Sequence, residues 1–315
     1  MAALKAKLCR EDTIALWDLL SRDNDPLASE EALRDHINRV LGSRGGRDTV
    51  SKVVDAIARR WFPTTSFNLD RVPSEPCLFI GNHALFGLDG FVVIPALRVE
   101  MNRNLRPMGD KFLFSEPEIS KRLIALGAAI GHPEVARALM QRGEDLLVFP
   151  GGAHEAVKAQ KDRYQLQWKE RLGFVRLALE ANYPIVPFGL VGPDDFYSYL
   201  LDSEDLVHWL ERVGLWPDKL RKDVVPPLLR GMLGGPVPRP QPCFLSFAEP
   251  VYFSEADRKA VRSRGDAGAD KRVEQTLRSY RREVALRIET EIELMLEIRE
   301  ERRSQLGFLR KLATL

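Results

Sequence analysis

Cysteine is scarce in this chain: Cys9, Cys77 and Cys243 are odd in number, far apart and without Cys-x-x-Cys spacing. That argues against a disulfide framework and a zinc site, and it fits three packed thiols in a reducing compartment. Net charge is scarce too. The +2 left by 47 basic and 45 acidic residues gives no global field for nucleic acid, which is excluded as an expected partner. Long apolar runs are missing: residues 76–97 carry no Lys or Arg, yet Pro, Gly, His and Asp interrupt them. They fall short of the roughly 20 apolar residues that span a bilayer. The first twenty residues, "MAALKAKLCREDTIALWDLL", lack a basic start followed by a long apolar stretch, so they read as an amphipathic helix rather than a secretory signal. No Gly-x-Ser-x-Gly elbow, Walker loop, internal repeat or low-complexity tract occurs. The expected location is cytoplasmic and peripheral to a membrane.

What is present is an ordinary globular composition, 44% apolar and 29% charged over 315 residues, enough for a large core. Periodicity at three and four predicts helices through residues 12–62, with Ile14, Leu16, Trp17, Leu19 and Leu20 on one face of the first. A short apolar strand follows at Cys77–Gly81, then "GFVVIPALRVEM" as a helix or a buried continuation. "EPEISKRLIALGAAIG" and "PEVARALMQRGE" read as helices, "DLLVFPGG" as a strand, "KERLGFVRLALEANY" as a helix and "PIVPFGLVG" as a strand. Strands separated by helices long enough for crossovers define an α/β domain. The predicted organisation is a helical region at 1–66, an α/β core at 67–258 with an apolar and basic excursion at about 202–241, and an amphipathic helix within 259–315 packed on the same domain. "CFLSFAEPVYF" alternates as a strand near the end of the core.

Three polar interruptions stand at strand ends: Asn82-His83 with Asp89, Phe149-Pro150-Gly151-Gly152 with His154 and Glu155, and Asp194-Asp195. In an open α/β sheet the crevice beyond the carboxyl ends of the strands binds ligands, so the three loops are expected to line one pocket. A histidine and a carboxylate in an apolar run must either satisfy each other or do chemistry, because an unpaired polar group costs roughly 2–7 kcal/mol to bury. His83 with Asp89 reads either as a base with its orienter or as a buried pair that ties a loop down. Gly151-Gly152 reads either as a backbone donor to an oxyanion or phosphate or as an ordinary turn, and Glu155 also suits a helix start. His36, His132 and His208 lack metal-ligand spacing and are expected at the surface; no metal is expected.

In this order, "FIGNHALFGLD", "FPGGAHEAVK", "YQLQWKERLGFVRLALEANYPIVPFGLVGPDDFY" and "CFLSFAEPVYF" resemble the glycerolipid acyltransferase superfamily, within its diacylglycerol acyltransferase-like and phytyl ester synthase-like branch. The resemblance covers residues 75–255 and implies a mixed central sheet flanked by helices. It implies that His83 deprotonates an acceptor hydroxyl, Asp89 orients His83, and the hydroxyl attacks an acyl thioester directly. The donor would be acyl-CoA or acyl carrier protein as co-substrate, with no further cofactor, and the acceptor a lipid alcohol reached at a membrane surface or lipid droplet. Two departures matter. Five residues, Ala84 to Leu88, separate His83 from Asp89 where the family motif has four. "FPGGAHE" also lacks the Glu and Arg of the phosphate-handling Phe-Pro-Glu-Gly-Thr-Arg block, which favours a neutral alcohol such as diacylglycerol or a long-chain isoprenoid alcohol. Asn82 and the Gly151-Gly152 backbone are candidate oxyanion donors. "KLRK" at 219–222, Lys111 and Arg122 are candidate donor-phosphate contacts, and "GLWPDKLRKDVVPPLLRGMLGG" around Trp216 a candidate interfacial segment. A lysophospholipid acyltransferase, a thioesterase and a non-catalytic lipid-binding scaffold are the competing readings.

Overall fold

The computed structural model describes residues 25–214, 225, 227–262 and 267–305. The expectations for Cys9, the helix over 12–24, Trp216 and the 219–222 basic run lie outside them.

The central sheet contains β1 (Thr64–Phe67), β2 (Leu78–Gly81), β3 (Leu105–Gly109), β4 (Ala129–Ile130), β5 (Asp145–Val148), β6 (Ile185–Val191) and, last in the chain, Cys243–Phe247. Two more strands, β7 (Ser198–Leu201) and β8 (Leu228–Arg230), pair apart from it, which makes Cys243–Phe247 β9. The order β1-β9-β6-β2-β5-β3-β4 is parallel from β6 to β4, whereas β9 runs antiparallel to β6 and parallel to β1. The mixed α/β sheet is therefore as expected.

Helices α1 (Glu30–Gly42) and α2 (Thr49–Trp61) precede the sheet, α3 (Gly90–Met101), α4 (Pro117–Ala125), α5 (Pro133–Gln141), α6 (Gly173–Ala181) and α7 (Ser203–Arg212) lie in connections between strands, and α8 (Glu255–Arg262) and α9 (Ala267–Gln305) follow β9. Successive strand residues point to opposite faces, so the central strands feed two cores. Leu78, Ile80, Leu146 and Ile185 pack with residues of α5, α6 and α9, whereas Phe79, Leu147, Val186 and Phe188 pack with Val92, Val93, Ala96 and Leu97 of α3. All seven residues of β6 are buried, as a strand covered on both sides requires. At Gly189 a Cβ would stand 2.7 Å from the backbone nitrogen of Ile292, so glycine lets α9 lie directly on β6.

The ambiguous "GFVVIPALRVEM" is helix α3, with Pro95 inside it and Asn102 closing it in the left-handed region at φ 54°. β1, β3 and β4 were not foreseen. β1 is four half-buried residues, Thr-Thr-Ser-Phe, β3 contains Arg106 and Pro107, and β4 is two residues long; none presents a run of alternating apolar positions. β4 occupies the tail of the stretch read as one helix, which ends at Ala125. His36 is also unlike the expectation: it is buried, accepts the Ile130 N–H at 3.1 Å, and burial pushes its pKa down to about 4. His132 caps α5 by accepting the Glu134 N–H, and His208 is exposed.

Candidate active site

Because β6, β2 and β5 are adjacent and parallel, their carboxyl ends bring the loops after Gly81, Val148 and Val191 to one edge. His83 leaves the central strand and is flanked by the other two loops. Its Nδ1 lies 2.6 Å from Asp89 Oδ2, with the Asp89 side chain wholly buried and that of His83 13% exposed. Asp89 Oδ2 also accepts the Ala84 N–H at 2.6 Å, and Oδ1 accepts the Gly90 N–H at 2.7 Å at the start of α3. A carboxylate there is favoured by the exposed amides of a helix start. The additional residue between His83 and Asp89 is taken up by two consecutive left-handed residues, Phe86 at φ 57° and Gly87 at φ 70°. The longer spacing thus keeps the histidine–carboxylate contact.

With Nδ1 committed to Asp89, Nε2 is the nitrogen left to accept a proton. Burial lowers the affinity of the imidazole for a proton, but the charge and hydrogen bond of Asp89, aided by Glu155, outweigh it and raise the pKa. Phe149 stacks on the ring, centroids 4.4 Å apart and planes 9° from parallel, and is itself braced edge-on by Phe188. The ring has a fixed orientation before any substrate arrives.

The His83 backbone is held at both ends. Its N–H donates to Glu155 Oε1 at 3.1 Å, and its carbonyl accepts from Lys158 Nζ at 2.7 Å. Lys158 in turn pairs with Asp194 Oδ2 at 2.9 Å, both side chains buried, and the Tyr164 N–H donates to the same oxygen. One charged chain therefore ties the three loops together. Burial, opposed first by Lys158 and then by His83, pushes the Glu155 pKa up to about 7. Gly151 is required beneath this carboxylate: a Cβ would meet Glu155 Oε2 at 1.8 Å.

Other expected residues have different employment. Both amide functions of Asn82 are bonded to the backbone of Leu190, at 2.9 Å each, so its side chain joins β2 to β6 rather than reaching for an oxyanion. The Gly152 N–H is bonded to the Phe149 carbonyl, closing the turn, and the Pro150 carbonyl accepts from Arg171 at 2.6 Å. Asp195 is bound by Arg163, the Tyr164 hydroxyl and Arg299 of α9. Neither Asp194 nor Asp195 borders the cavity described next. His154 sits half-buried on the single helical turn Gly152–Glu155. Lys158 was missed by sequence reasoning; its one signal is a lysine three residues after Glu155 beside a strand-end loop. Lys111 pairs with Asp25, and Arg122 is exposed on α4.

A cavity of about 750 Å³ is lined at one end by His83 and Phe149 and extends between α2, α3 and the 107–126 segment, past Ile94, Met108 and Leu123. At its other end stand Ser51, Asp55, Arg98 and Leu126. From Gly90 to Arg98 the α3 axis advances about 12 Å, so the cavity has depth beyond the base. Arg98 is the one Lys or Arg among the described residues lining it, and it is already bonded to Asp55 and Asn104. The lining is otherwise chiefly apolar, suited to a hydrocarbon chain and not to a phosphate.

A family model described as diacylglycerol acyltransferase matches residues 114–257, downstream of His83 and Asp89. Phytyl ester synthase 2, chloroplastic, of Arabidopsis thaliana is 34% identical over 147 residues, 44% of this chain and 21% of its own length. Phytyl ester synthase 1, chloroplastic, of the same plant is 35% identical over 146 residues, 43% of this chain and 20% of its own. The DGAT1/2-independent enzyme synthesizing storage lipids of Bos taurus is 30% identical over 196 residues, 62% of this chain and 58% of its own. The chain thus spans about a fifth of the length of the plant relatives and rather more than half of the bovine one. These matches bear out the resemblance read from the sequence blocks.

Proposed function

We propose that this chain, a relative of the diacylglycerol acyltransferase-like and phytyl ester synthase-like proteins, is an acyltransferase that moves a fatty acyl group from an acyl thioester to the hydroxyl of a neutral lipid alcohol. The observation that carries this reading is a histidine fixed by a buried carboxylate at 2.6 Å, lining a chiefly apolar cavity of about 750 Å³. His83 takes the hydroxyl proton at Nε2 as the oxygen attacks the thioester carbon. Asp89 holds the tautomer and stabilises the imidazolium that forms. The tetrahedral oxyanion is assigned to the backbone N–H of Ala153, which meets the cavity beside Gly152, whose own N–H is held by the Phe149 carbonyl. Collapse breaks the carbon–sulfur bond, and the imidazolium returns its proton to the leaving thiolate. The sequence requires no covalent enzyme intermediate.

A neutral acceptor, such as diacylglycerol or a long-chain isoprenoid alcohol, is favoured over a lysophospholipid because the one Lys or Arg lining the cavity among the described residues is already paired. Acyl-CoA or acyl carrier protein supplies the thioester, and the lipid partner brings the protein to a membrane or lipid droplet surface. The test is acyl transfer by purified protein from labelled acyl-CoA, and from the carrier-protein thioester, to diacylglycerol, phytol, lysophosphatidate and water, with His83→Ala alongside. Neutral ester made by wild type and lost in the folded variant supports the reading. No product from either donor moves the assignment to a lipid-binding scaffold.

A further inference from the structure

Helix α2 buries Ala58 and packs Trp61 on the core, yet turns much of its apolar surface outward. Its inward positions include Ser51 and Asp55, the latter held by Arg98, whereas Val50, Val53 and Ile57 are 66%, 53% and 63% exposed. Spacings of three and four put these three on one stripe, with Ala56 exposed beside them. A surface helix of a globular protein normally does the reverse, turning its apolar stripe to the core. The two charged residues that α2 exposes, Lys52 and Arg60, are both basic. Glu100 of the neighbouring α3 faces Arg59 at 4.0 Å. Behind the stripe, Val54 lines the cavity that begins at His83, so α2 is the wall between that cavity and the outside. Phe86, Phe91 and Leu113 border the same cavity and are 47%, 44% and 41% exposed.

We propose that the outer face of α2 is a docking surface for a lipid bilayer carrying anionic headgroups. The stripe has the composition of an interfacial helix, with apolar side chains to enter the acyl boundary and basic ones to meet phosphates. Docked this way, the wall of the cavity lies against the source of its hydrocarbon substrates. The inference rests on the acyl-transfer reading for the choice of a lipid rather than a protein as partner.

The experiment is flotation of the full chain with vesicles of phosphatidylcholine, with and without phosphatidylglycerol, in the absence of any acyl substrate. Wild type floats with the anionic vesicles. Val53→Glu with Ile57→Glu lowers that binding at least about tenfold, since two carboxylates replace side chains that enter the interface. Lys52→Glu with Arg60→Glu removes the preference for phosphatidylglycerol. Circular dichroism and Tm stay unchanged, because none of the four side chains is buried. Undiminished flotation of the Val53/Ile57 variant overturns the proposal. So does conversion of a dimer to a monomer by that variant with vesicle binding intact, which makes the face an interface between copies. Protection of Val53→Cys from a soluble thiol reagent without vesicles also overturns it, because another part of the chain then covers the stripe. Acyl transfer to a detergent-dispersed acceptor is measured separately. Lost flotation with retained turnover supports docking, whereas wild type that floats but transfers nothing keeps docking and removes the enzymatic reading.

Discussion

Lys158 and Asp194 form an ion pair of 2.9 Å in which neither side chain reaches solvent, and the same Lys158 Nζ donates to the carbonyl of His83. A buried pair of this kind is weak as a source of net stability but costly to break, because the remaining charge is left without a partner. Its consequence here is positional. The His83 loop is fastened to the end of β6 through the segment after β5.

Lys158→Met is accordingly expected to destabilise the protein by about 3–5 kcal/mol, the usual result of stranding one member of a buried pair. Urea unfolding measures it. Lys158→Met with Asp194→Leu removes both charges and is expected to recover much of the stability without recovering turnover, since His83 still lacks its carbonyl partner.

His83→Ala is expected to lower acyl transfer by roughly 10²–10⁴-fold, the contribution of a positioned general base. Phe149→Leu keeps an apolar wall but removes the stacked ring, and is expected to lower kcat more than it raises KM. Steady-state kinetics on folded variants separates the two effects.

A general base at His83, as proposed, works only when its imidazole is neutral. Asp89 raises the His83 pKa above the usual histidine value of 6.5, so wild-type activity should fall on acidification through a midpoint above 6.5. In Asp89→Asn the lowering effect of burial is no longer outweighed, and the acidic limb moves to lower pH while the maximal rate drops. A pH–rate profile that drops without shifting would refute the electrostatic part of this account.

Glu155 makes a separate prediction for stability. Its folded pKa is about 7 against an ordinary 4.5, so between these values the folded state holds more protons than the unfolded one. Stability from this group is therefore greatest at low pH and declines as pH rises from 4.5 to 7. Glu155→Gln can still accept the His83 N–H but does not ionise. Relative to wild type, its urea midpoint should improve on going from acidic to mildly alkaline buffer.

The cavity predicts selectivity. Leu126→Trp places bulk at the end remote from His83, so transfer of long acyl chains should decline while that of short ones persists. Competition between two acyl-CoA lengths reads the ratio directly.

The local sequence was sufficient for whatever depends on local pattern. Short continuous apolar runs marked β2, β5 and β6, alternation marked β9, period-3.6 runs marked α5 and α6, and polar residues after β2, β5 and β6 marked loops that adjacent parallel strands bring to one edge. The edge strands β1 and β4, and β3 beside β4, carry no such pattern, since half-exposed or very short segments need not alternate. The partners of the site residues were also beyond local reading. Asn82 finds Leu190 across 108 positions and Lys158 finds His83 across 75, and only the folded backbone decides that Asn82 joins two strands or that a lysine grips the His83 loop. The same holds for α2: its amphipathic period is plain in the sequence, but only the fold shows Asp55 turned inward to pair with Arg98 while Val53 stays exposed.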